Sequence, residues 1–280
     1  MAATDETRLV LRAADENLIE FIRHTARAGD DTTVSERDGL MLVAGSHRHP
    51  GPYRNAAFNY GGMEPDKALL EARAFFAERE RGFVFWAAHH GSQELRQTLS
   101  SAGGQLLEDE GLPEFRLEQR PELQDVPEGV ELRRAQTDQE REEFLRVNAA
   151  GWGMDGLDLE LARRMFFDPR SLEHPMVAAM IAYRDGEPVS TAMALVSDRT
   201  VGGYWVATVP HARRQGLADV VSRATFNAGF DLGADVAVCQ ASGLGESIWR
   251  RMGFRELTRY DRFLFPARWE RGVISATAGR

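Results

Sequence analysis

The sequence contains a single cysteine, Cys239, in 280 residues, which excludes an intrachain disulfide. Proteins without disulfides are typical of reducing compartments, so we expect a cytoplasmic protein. No apolar run approaches the roughly 18 residues that a membrane-spanning helix needs, and charged residues are spread through the first 30 positions. Neither a spanning helix nor a secretory signal is therefore expected, and no membrane partner.

Lysine is as scarce as cysteine, because Lys67 is the only one among 34 basic residues. The arginines are scattered, and 43 acidic residues give a net charge of -9. An acidic chain without a basic block is poorly suited to a nucleic-acid backbone, so no nucleic-acid partner is expected. The second half contains no lysine, which excludes a Walker A loop, and the dinucleotide motif GxGxxG is also missing.

The sequence divides into two halves with similar patterns of predicted strands and helices. The later part of each half alternates between predicted strands and helices, which is typical of an α/β layered fold. An ungapped offset of 150 residues pairs several positions of the two halves: Ser92 with Ser242, Leu99 with Trp249, and Gly103 with Gly253. We therefore predict two units, residues 1–125 and 126–280, joined by a linker rich in proline and acidic residues.

Hydrophobic periodicity predicts the secondary structure. The predicted helices are Pro65–Arg81, Ser92–Ala102, Asp138–Ala150, Leu159–Phe167, Gly216–Phe230 and Leu244–Met252. The predicted strands are Leu40–Gly45, Asn55–Tyr60, Phe83–Ala88, Glu114–Leu117, Val130–Arg134, Met176–Tyr183, Val189–Val196, Gly203–Thr208, Asp235–Cys239, Phe254–Tyr260 and Arg262–Phe265. Thr137 or Asp138 is expected to cap the third helix.

The stretch from Thr208 to Gly216 is expected to join a strand to a helix. The first amides of a helix lack internal acceptors, and together with the helix dipole they attract an anion. Gly216 has no Cβ, so an anion can approach the backbone closely, and Arg213 and Arg214 add positive charge. A diphosphate is the expected occupant, and an ordinary turn with solvated arginines is the alternative.

This segment resembles the acetyl-coenzyme A signature of the GCN5-related N-acetyltransferases (GNATs). The family pattern is a strand, a proline-containing turn and Q/R-x-x-G-x-G/A, which here reads Arg213-x-x-Gly216-x-Ala218. A second family motif, a strand and a short helix ending in Gly-Phe, is matched by the segment that ends at Gly253-Phe254. The resemblance covers most of the second half, whereas in the first half only the fold is similar.

The resemblance implies two GNAT-like units, each a mixed, mostly antiparallel sheet flanked by helices. The first-half counterpart of the arginine–glycine segment is Met63–Asp66, which lacks the anion-site residues. The unit at 1–125 is therefore expected to be degenerate and structural, and to close one side of the acceptor cleft. The unit at 126–280 is expected to be the catalytic domain, with acetyl-CoA as the acyl donor.

The resemblance also implies which residues hold acetyl-CoA. The strand before the turn would face the thioester, the start of the helix would hold the diphosphate, and the last helix would touch the coenzyme arm. The strand residues are Val206, Ala207 and Thr208. The diphosphate residues are Arg213, Arg214, Gln215, Gly216, Leu217 and Ala218, and those of the last helix are Ser242 and Trp249. The implied chemistry is direct attack of an amine on the acetyl carbonyl, with a strand N–H stabilising the oxyanion.

Two departures from the family leave the catalytic residues open. Trp249 stands where many members have the tyrosine that protonates the leaving thiolate, and an indole is a poor acid. Tyr260, Tyr204 or Ser247 could replace that tyrosine, solvent could supply the proton, or the unit could bind coenzyme without turnover. The strand before the turn contains no carboxylate, so no general base is predicted.

The loop Ala149–Asp158 and the residues after it are expected to shape the acceptor site. Trp152, Phe166 and Phe167 would form an apolar wall and Asp155 would meet the amine, although a plain core role suits the phenylalanines equally. The expected acceptor is a small-molecule amine, with a mycothiol-synthase-like acetyltransferase as one sub-case. A protein acceptor and a non-catalytic acyl-CoA-binding sensor or partner module are the alternatives.

The remaining candidates for chemistry are weak. His47, His49, His89 and His90 match no metal-ligand spacing, so no metal site is expected. Cys239 ends an apolar strand and is expected in the core rather than as a nucleophile. We expect a monomer or a homodimer.

Overall fold

A computed structural model describes residues 5–48, 53–243 and 245–267. The seven α-helices of these ranges are α1 Asp5–Ala28, α2 Pro65–Glu78, α3 Gln93–Ser101, α4 Asp138–Gly151, α5 Leu159–Met165, α6 Leu217–Asp231 and α7 Glu246–Met252. The strands are β1 Thr33–Arg37, β2 Leu40–Ala44, β3 Asn55–Asn59, β4 Phe83–Ala88, β5 Gln105–Leu106, β6 Leu112–Leu117, β7 Val130–Arg134, β8 Val177–Arg184, β9 Glu187–Ser197, β10 Thr200–Thr208, β11 Val236–Gln240 and β12 Arg255–Phe265. Each helix within the described ranges is too short or too polar to cross a bilayer.

The chain folds into two compact units that do not follow the predicted boundary. The large unit combines the described part of 1–28 with Pro113–Leu257, and the small unit combines Gly29–Leu112 with the described residues from Thr258 onward. The predicted division after residue 125 therefore differs from the structure. The reason is that α1 and most of β6 pack in the large unit, whereas most of β12 pairs within the small one.

The large unit is built on a sheet with the strand order β7-β8-β9-β10-β11-β6. All neighbours are antiparallel except β10 and β11, which run parallel. Gly203 faces Phe226 of α6, whereas its neighbour Gly202 faces Asn17 of α1. Because successive strand residues point to opposite faces, α1 and α6 cover opposite sides of this sheet.

The small unit is a sheet of the order β1-β2-β3-β4-β12, with β5 pairing β12. Only β3 and β4 run parallel, and α2 makes the crossover between them. Its core contains stacked aromatic rings, with Phe76 on Phe83 at 4.5 Å and Phe83 on Phe265 at 5.0 Å between ring centroids. The predicted fold class, mixed and mostly antiparallel sheets flanked by helices, is confirmed.

Most predicted elements are present, and the exceptions have physical reasons. The predicted break between Tyr260 and Arg262 is wrong, because both residues pair with β4 in one continuous β12. Helix α1, β1 and β5 were not predicted. The predicted start of the last helix, Leu244, lies outside the described residues.

Hydrogen bonds form the cap of α4 and attach the predicted linker to the large unit. Thr137 accepts from the Glu140 amide at 3.2 Å, and the Glu140 carboxylate accepts from the Thr137 amide at 2.9 Å, which makes a capping box. The linker after β6 is irregular in backbone but attached to α6. Arg223 donates to the Glu122 carbonyl at 2.6 Å, and Asn227 donates to the Pro121 carbonyl at 2.8 Å.

Candidate functional site

Strand β10 changes register beside the end of its pairing with β11. The last β10–β11 pair is Gly203 with Cys239, although β10 runs on to Thr208. On its other side, Tyr204 pairs with Met193 of β9 before the register shifts by one extra residue. This is a β-bulge, and such bulges bend a strand and disrupt its ladder. The residues Val206 to Thr208 therefore extend beyond the described β10–β11 ladder.

Side chains from β9 and α4 hold the carbonyls of the bulged segment. The Thr191 hydroxyl donates to the Trp205 carbonyl at 3.4 Å, and the Ser190 hydroxyl donates to the Ala207 carbonyl at 3.0 Å. Thr191 in turn accepts from the amide of the fully buried Asn148 at 2.9 Å. These bonds fix the direction of the backbone after the bulge, as buried polar networks do when their members are paired.

The turn after β10 exposes a row of amides. Arg214 and Gly216 have φ of 60° and 77°, and Gly216 is the N-cap of the 15-residue α6. Within the described ranges, the five consecutive amides from Arg214 to Ala218 donate to no backbone acceptor. A Cβ placed on Gly216 would meet nothing within 4 Å, so the space beside the Gly216 Cα is open. Successive N–H groups at a helix start make an anion-binding concavity.

Arg213 does not point away into solvent but binds two carbonyls. Its Nε donates to the Thr208 carbonyl at 3.2 Å and its Nη2 donates to the Gly151 carbonyl at 2.6 Å. Sequence reasoning placed Arg213 beside the diphosphate through its charge and missed these two bonds. Among the described residues, Nη1 of this side chain has no hydrogen-bond acceptor, so that edge is open to an anion.

The charge around the turn is positive. Arg184 donates to the Gln215 side chain, and Gln215 donates to the His211 carbonyl at 3.3 Å. The acidic residue of the first turn, Asp219, is paired with the buried Arg223 at 2.7 Å. Together with Arg214, these groups leave the helix start suited to a multiply charged anion.

The predicted residues of the last helix divide into exposed and buried ones. Ser242 and Ser247 are exposed, and the Ser242 carbonyl accepts from the Gly245 amide at 2.7 Å. Trp249 is 3 % exposed and packs on the rings of Phe226 and Phe254, with centroids 5.9 and 5.8 Å away. The structure thus places Trp249 in the core of the large unit, and its Nε1 has no hydrogen-bond partner within the described ranges.

The two candidate tyrosines are both buried. The Tyr204 hydroxyl donates to Asn17 Oδ1 at 2.7 Å, so its proton is already engaged. Tyr260 belongs to the small unit and lies against Trp86 and His90, with ring centroids 5.9 and 6.2 Å away. The Tyr204 hydroxyl is therefore already engaged, and the role of Tyr260 stays a prediction.

The predicted acceptor residues also divide by exposure. Trp152 is 56 % exposed and Asp155 is exposed, on the loop after α4. Phe166 and Phe167 are buried against Trp205, with centroids 6.0 and 4.9 Å away, which matches the core alternative for these rings. The exposed Trp152 and Asp155 are thus the members of the set that a ligand can reach.

Sequence reasoning missed Asn17, Phe21 and Glu114. Asn17 and Phe21 lie on α1, whose apolar residues recur at helical spacing, and this periodicity was the available signal. Glu114 is fully buried on β6 and accepts from Gln240 at 2.5 Å. Burial raises the pKa of the Glu114 carboxyl well above its usual value, and nothing in the local sequence indicates that burial.

The histidines do not assemble into a metal site in the part of the chain that the structure describes. His89 contacts Asp261 at 2.7 Å and His90 contacts Thr258 at 2.9 Å, and His49 lies outside the described residues. Cys239 is fully buried, and burial raises the pKa of its thiol, so it is not an activated nucleophile.

Comparison with known proteins finds a family match in the middle of the chain. Residues 116–238 match the model of the acetyltransferase (GNAT) domain. This segment therefore carries a GNAT acetyltransferase domain, and the predicted resemblance to this family of acyltransferases is confirmed there. Members of this family generally use acetyl-CoA and act on small-molecule or protein acceptors. No curated protein matches the chain.

Solved structures support the fold over nearly the whole chain. A GCN5-related N-acetyltransferase from Kribbella flavida has a TM-score of 0.70 and 18% identity, and the match covers 95% of this chain and 97% of that one. A tandem GNAT protein from the clavulanic acid biosynthesis pathway has a TM-score of 0.59 and 10% identity, over 91% and 96% of the two chains. A GCN5-related N-acetyltransferase from Sphaerobacter thermophilus has a TM-score of 0.57 and 14% identity, over 84% and 82%.

Proposed function

We propose that the large unit transfers the acetyl group of acetyl-CoA to the amine of a small-molecule acceptor. The observation that carries this proposal is the row of five amides from Arg214 to Ala218, which find no backbone acceptor within the described ranges and surround the open position at Gly216. This row begins only six residues after the bulged strand ends at Thr208. A diphosphate and an acyl group attached to it thus have neighbouring places to bind.

The residues of the turn fit the diphosphate of coenzyme A. The amides from Arg214 to Ala218 would hold its oxygens, and Arg213 would add the free edge of its guanidinium. The backbone from Val206 to Thr208 would hold the acyl arm, because it extends beyond the described pairing with β11. A backbone N–H of this segment would accept the growing negative charge on the carbonyl oxygen.

When bound, acetyl-CoA supplies an activated acetyl thioester: the N–C bond to the amine forms, the C–S bond breaks, and a proton passes overall from amine to thiol. The large unit orients the two partners, which is a large part of such catalysis. Since the Tyr204 proton is engaged with Asn17 and Trp249 is buried, we propose that solvent or the exposed Ser247 protonates the thiol.

We propose that the acceptor binds beside the loop after α4. Gly151, at the end of α4, packs so closely on β10 that an added Cβ would lie 2.8 Å from Ala207 Cβ. The loop that follows carries the exposed Trp152 and Asp155, an aromatic surface and a carboxylate. These groups suit an ammonium group attached to an apolar body.

The small unit is proposed to be structural. Its helix α2 begins with Pro65, which has no N–H, and the Ala68 amide already donates to the Glu64 carbonyl at 2.9 Å. Asp66 adds negative charge in the same turn. Titration calorimetry should therefore give one coenzyme A per chain, and a stoichiometry of two would overturn this assignment.

The proposed function is tested by incubating the protein with acetyl-CoA and a panel of primary amines. We expect amine-dependent release of free thiol, together with an acetylated product of matching mass. A second candidate, a coenzyme-binding sensor, is favoured by the burial of Trp249 at the position of the family tyrosine. Tight binding of acetyl-CoA with no thiol released by any amine would support the sensor and reject the transferase.

A further inference from the structure

We infer that Asn17 of α1 is a positioning residue for the bulge of β10, and because the bulge is proposed to hold the acetyl group, this role rests on the proposed function. Asn17 is fully buried although its side chain is polar. It lies more than 180 positions before the bulge in sequence but in the same compact unit. The inference gives the N-terminal helix a part in acetyl transfer.

The Asn17 amide group binds the end of the β9–β10 hairpin. Its Nδ2 lies 2.7 Å from Ser197 Oγ, 3.0 Å from the Thr200 carbonyl and 3.2 Å from the Leu195 carbonyl. A side-chain amide has two N–H groups, so these three acceptors satisfy it fully. Asn17 thus fixes both strands of the hairpin on the α1 face of the sheet.

The amide oxygen of Asn17 connects the hairpin to the bulge. It accepts from the Tyr204 hydroxyl at 2.7 Å, and Tyr204 is the last β10 residue that pairs with β9 before the register shift. Room for this contact exists because Gly202 has no side chain. A Cβ on Gly202 would lie 1.9 Å from Asn17 Oδ1 and 2.6 Å from the Tyr204 hydroxyl.

The residue after Tyr204 has an unfavourable backbone conformation. Trp205 has φ of 51°, a value that is rare and strained for a bulky side chain. Such strain persists only where the surroundings determine the conformation. Helix α1 supplies those surroundings, since Phe21 stacks on Tyr204 at 3.7 Å and lies 6.1 Å from the Trp205 ring.

Loss of the Asn17 contacts should let the bulge relax without changing the diphosphate site. The backbone from Val206 to Thr208 follows the bulge directly, whereas the amides from Arg214 to Ala218 belong to a separate turn. Asn17 should therefore affect the rate of transfer more than the capture of coenzyme. If Asn17 served only overall folding, its loss would lower stability and leave kcat/KM unchanged.

The kinetic experiment uses the full chain with Asn17→Ala and Tyr204→Phe. We expect kcat to fall by about 10- to 100-fold in Asn17→Ala, the cost of a misplacement near 1 Å, with the KM for acetyl-CoA unchanged. Tyr204→Phe keeps the stacked ring and removes one hydroxyl, so its loss should be smaller. If Asn17 acts through Tyr204, the double variant should be no slower than Asn17→Ala.

Thr25→Val is the matched control. Thr25 is a buried polar residue of the same helix, and its hydroxyl donates to the Phe21 and Ile22 carbonyls within α1. We expect Thr25→Val to lower the melting temperature and to leave kcat unchanged. Equal loss of kcat in Thr25→Val and Asn17→Ala, at equal loss of stability, would overturn the positioning role.

Hydrogen exchange gives a readout that does not depend on turnover. Peptides covering Thr200–Thr208 should exchange faster in Asn17→Ala and Tyr204→Phe, and not in Thr25→Val, while peptides of α6 stay unchanged. Unchanged exchange of β10 in both test variants would reject the inference. If the unaltered protein acetylates no amine, the proposed function fails, and the exchange result still decides whether Asn17 holds the bulge. If Asn17→Ala does not fold, Tyr204→Phe decides.

Discussion

The guanidinium of Arg213 donates to the backbone carbonyl of Gly151 at 2.6 Å. Gly151 is the last residue of α4, and the same side chain donates to the carbonyl of Thr208 at the end of β10. The carbonyls at the end of a helix lack internal donors, so a cation there is favourable. Arg213 therefore joins the start of the proposed acceptor loop to the strand that would hold the acetyl group.

This double contact predicts that Arg213 affects both substrates. Arg213→Ala should raise the KM for acetyl-CoA and for the amine, each by roughly 10-fold, the lower end of about 1.5–3 kcal/mol for hydrogen bonds of a charged group. The lower end applies because Arg213 is exposed. Steady-state kinetics with either substrate varied give the two values.

Arg214→Ala is the comparison for this prediction. Arg214 lies in the same turn, is exposed, and has no ion pair within the described ranges. The substitution Arg214→Ala should raise only the KM for acetyl-CoA, and this effect should weaken at high salt. Equal effects of the two variants on the amine KM would show that the bond to Gly151 has no role in acceptor binding.

Alanine substitutions at Gly216 and Gly233 distinguish the cost of backbone strain from the effect of a methyl group on ligand binding. Both have positive φ, 77° and 100°, both lie at the ends of α6, and a Cβ on either would meet nothing within 4 Å. Alanine should therefore cost each site about 1 kcal/mol of folding free energy through the left-handed conformation. Only Gly216→Ala should also weaken acetyl-CoA binding, because its methyl group would stand before the free amides. Urea unfolding and calorimetry measure the two effects, and equal loss of affinity in Gly233→Ala would contradict this reasoning.

Glu114 predicts how stability depends on pH. Burial raises the pKa of its carboxyl well above the usual value near 4.5, although the bond from Gln240 acts in the opposite direction. A raised folded-state pKa means that the carboxyl stays protonated in the folded protein while it ionises in the unfolded chain. The free energy of unfolding should therefore decrease as pH rises from about 4.5 towards the folded-state pKa, by up to about 1.4 kcal/mol per pH unit.

Glu114→Gln should remove this part of the pH dependence. The amide has nearly the same shape, stays neutral, and keeps a hydrogen-bond partner in Gln240. Chemical unfolding at several pH values gives the slope of the free energy for each protein. Glu118 lies four residues after Glu114 and is exposed, so Glu118→Gln should keep the slope of the unaltered protein. Identical slopes in all three proteins would mean that folding does not raise the pKa of Glu114.

Short-range chemistry made part of the site predictable. The row of amides without backbone acceptors was predictable from Pro210, the paired arginines and Gly216, because it depends only on a strand, a turn and the start of a helix. The cap of α4 was predictable for the same reason, since Thr137 and Glu140 lie three residues apart. These features depend on backbone groups within a few residues of one another.

The parts that were missed depend on contacts distant in sequence. One partner of Arg213, the Gly151 carbonyl, lies 62 residues away, and no local pattern selects a carbonyl over a phosphate. The burial of Glu114 follows from pairing with Gln240, 126 positions later. The bulge residue Trp205 lies in an apolar strand without glycine or proline at the bulge itself, so tertiary packing set its conformation.

The placement of α1 and β6 predicts that the second half of the chain does not fold by itself. Residues 126–280 lack the helix that packs on β10 and the strand that pairs with β11 through Phe115 and Cys239. The isolated fragment should therefore show no cooperative unfolding, because an apolar sheet face and a sheet edge would be left uncovered. Circular dichroism during urea unfolding measures this.

Co-expression of residues 1–125 with 126–280 is the matched test. The break falls in the exposed part of the linker, and the first fragment supplies α1 and β6. The two fragments should copurify, unfold cooperatively and bind acetyl-CoA. The fragment 126–280 could instead unfold cooperatively and bind coenzyme as tightly as the intact chain. That result would show that the second half is a complete domain that needs neither α1 nor β6.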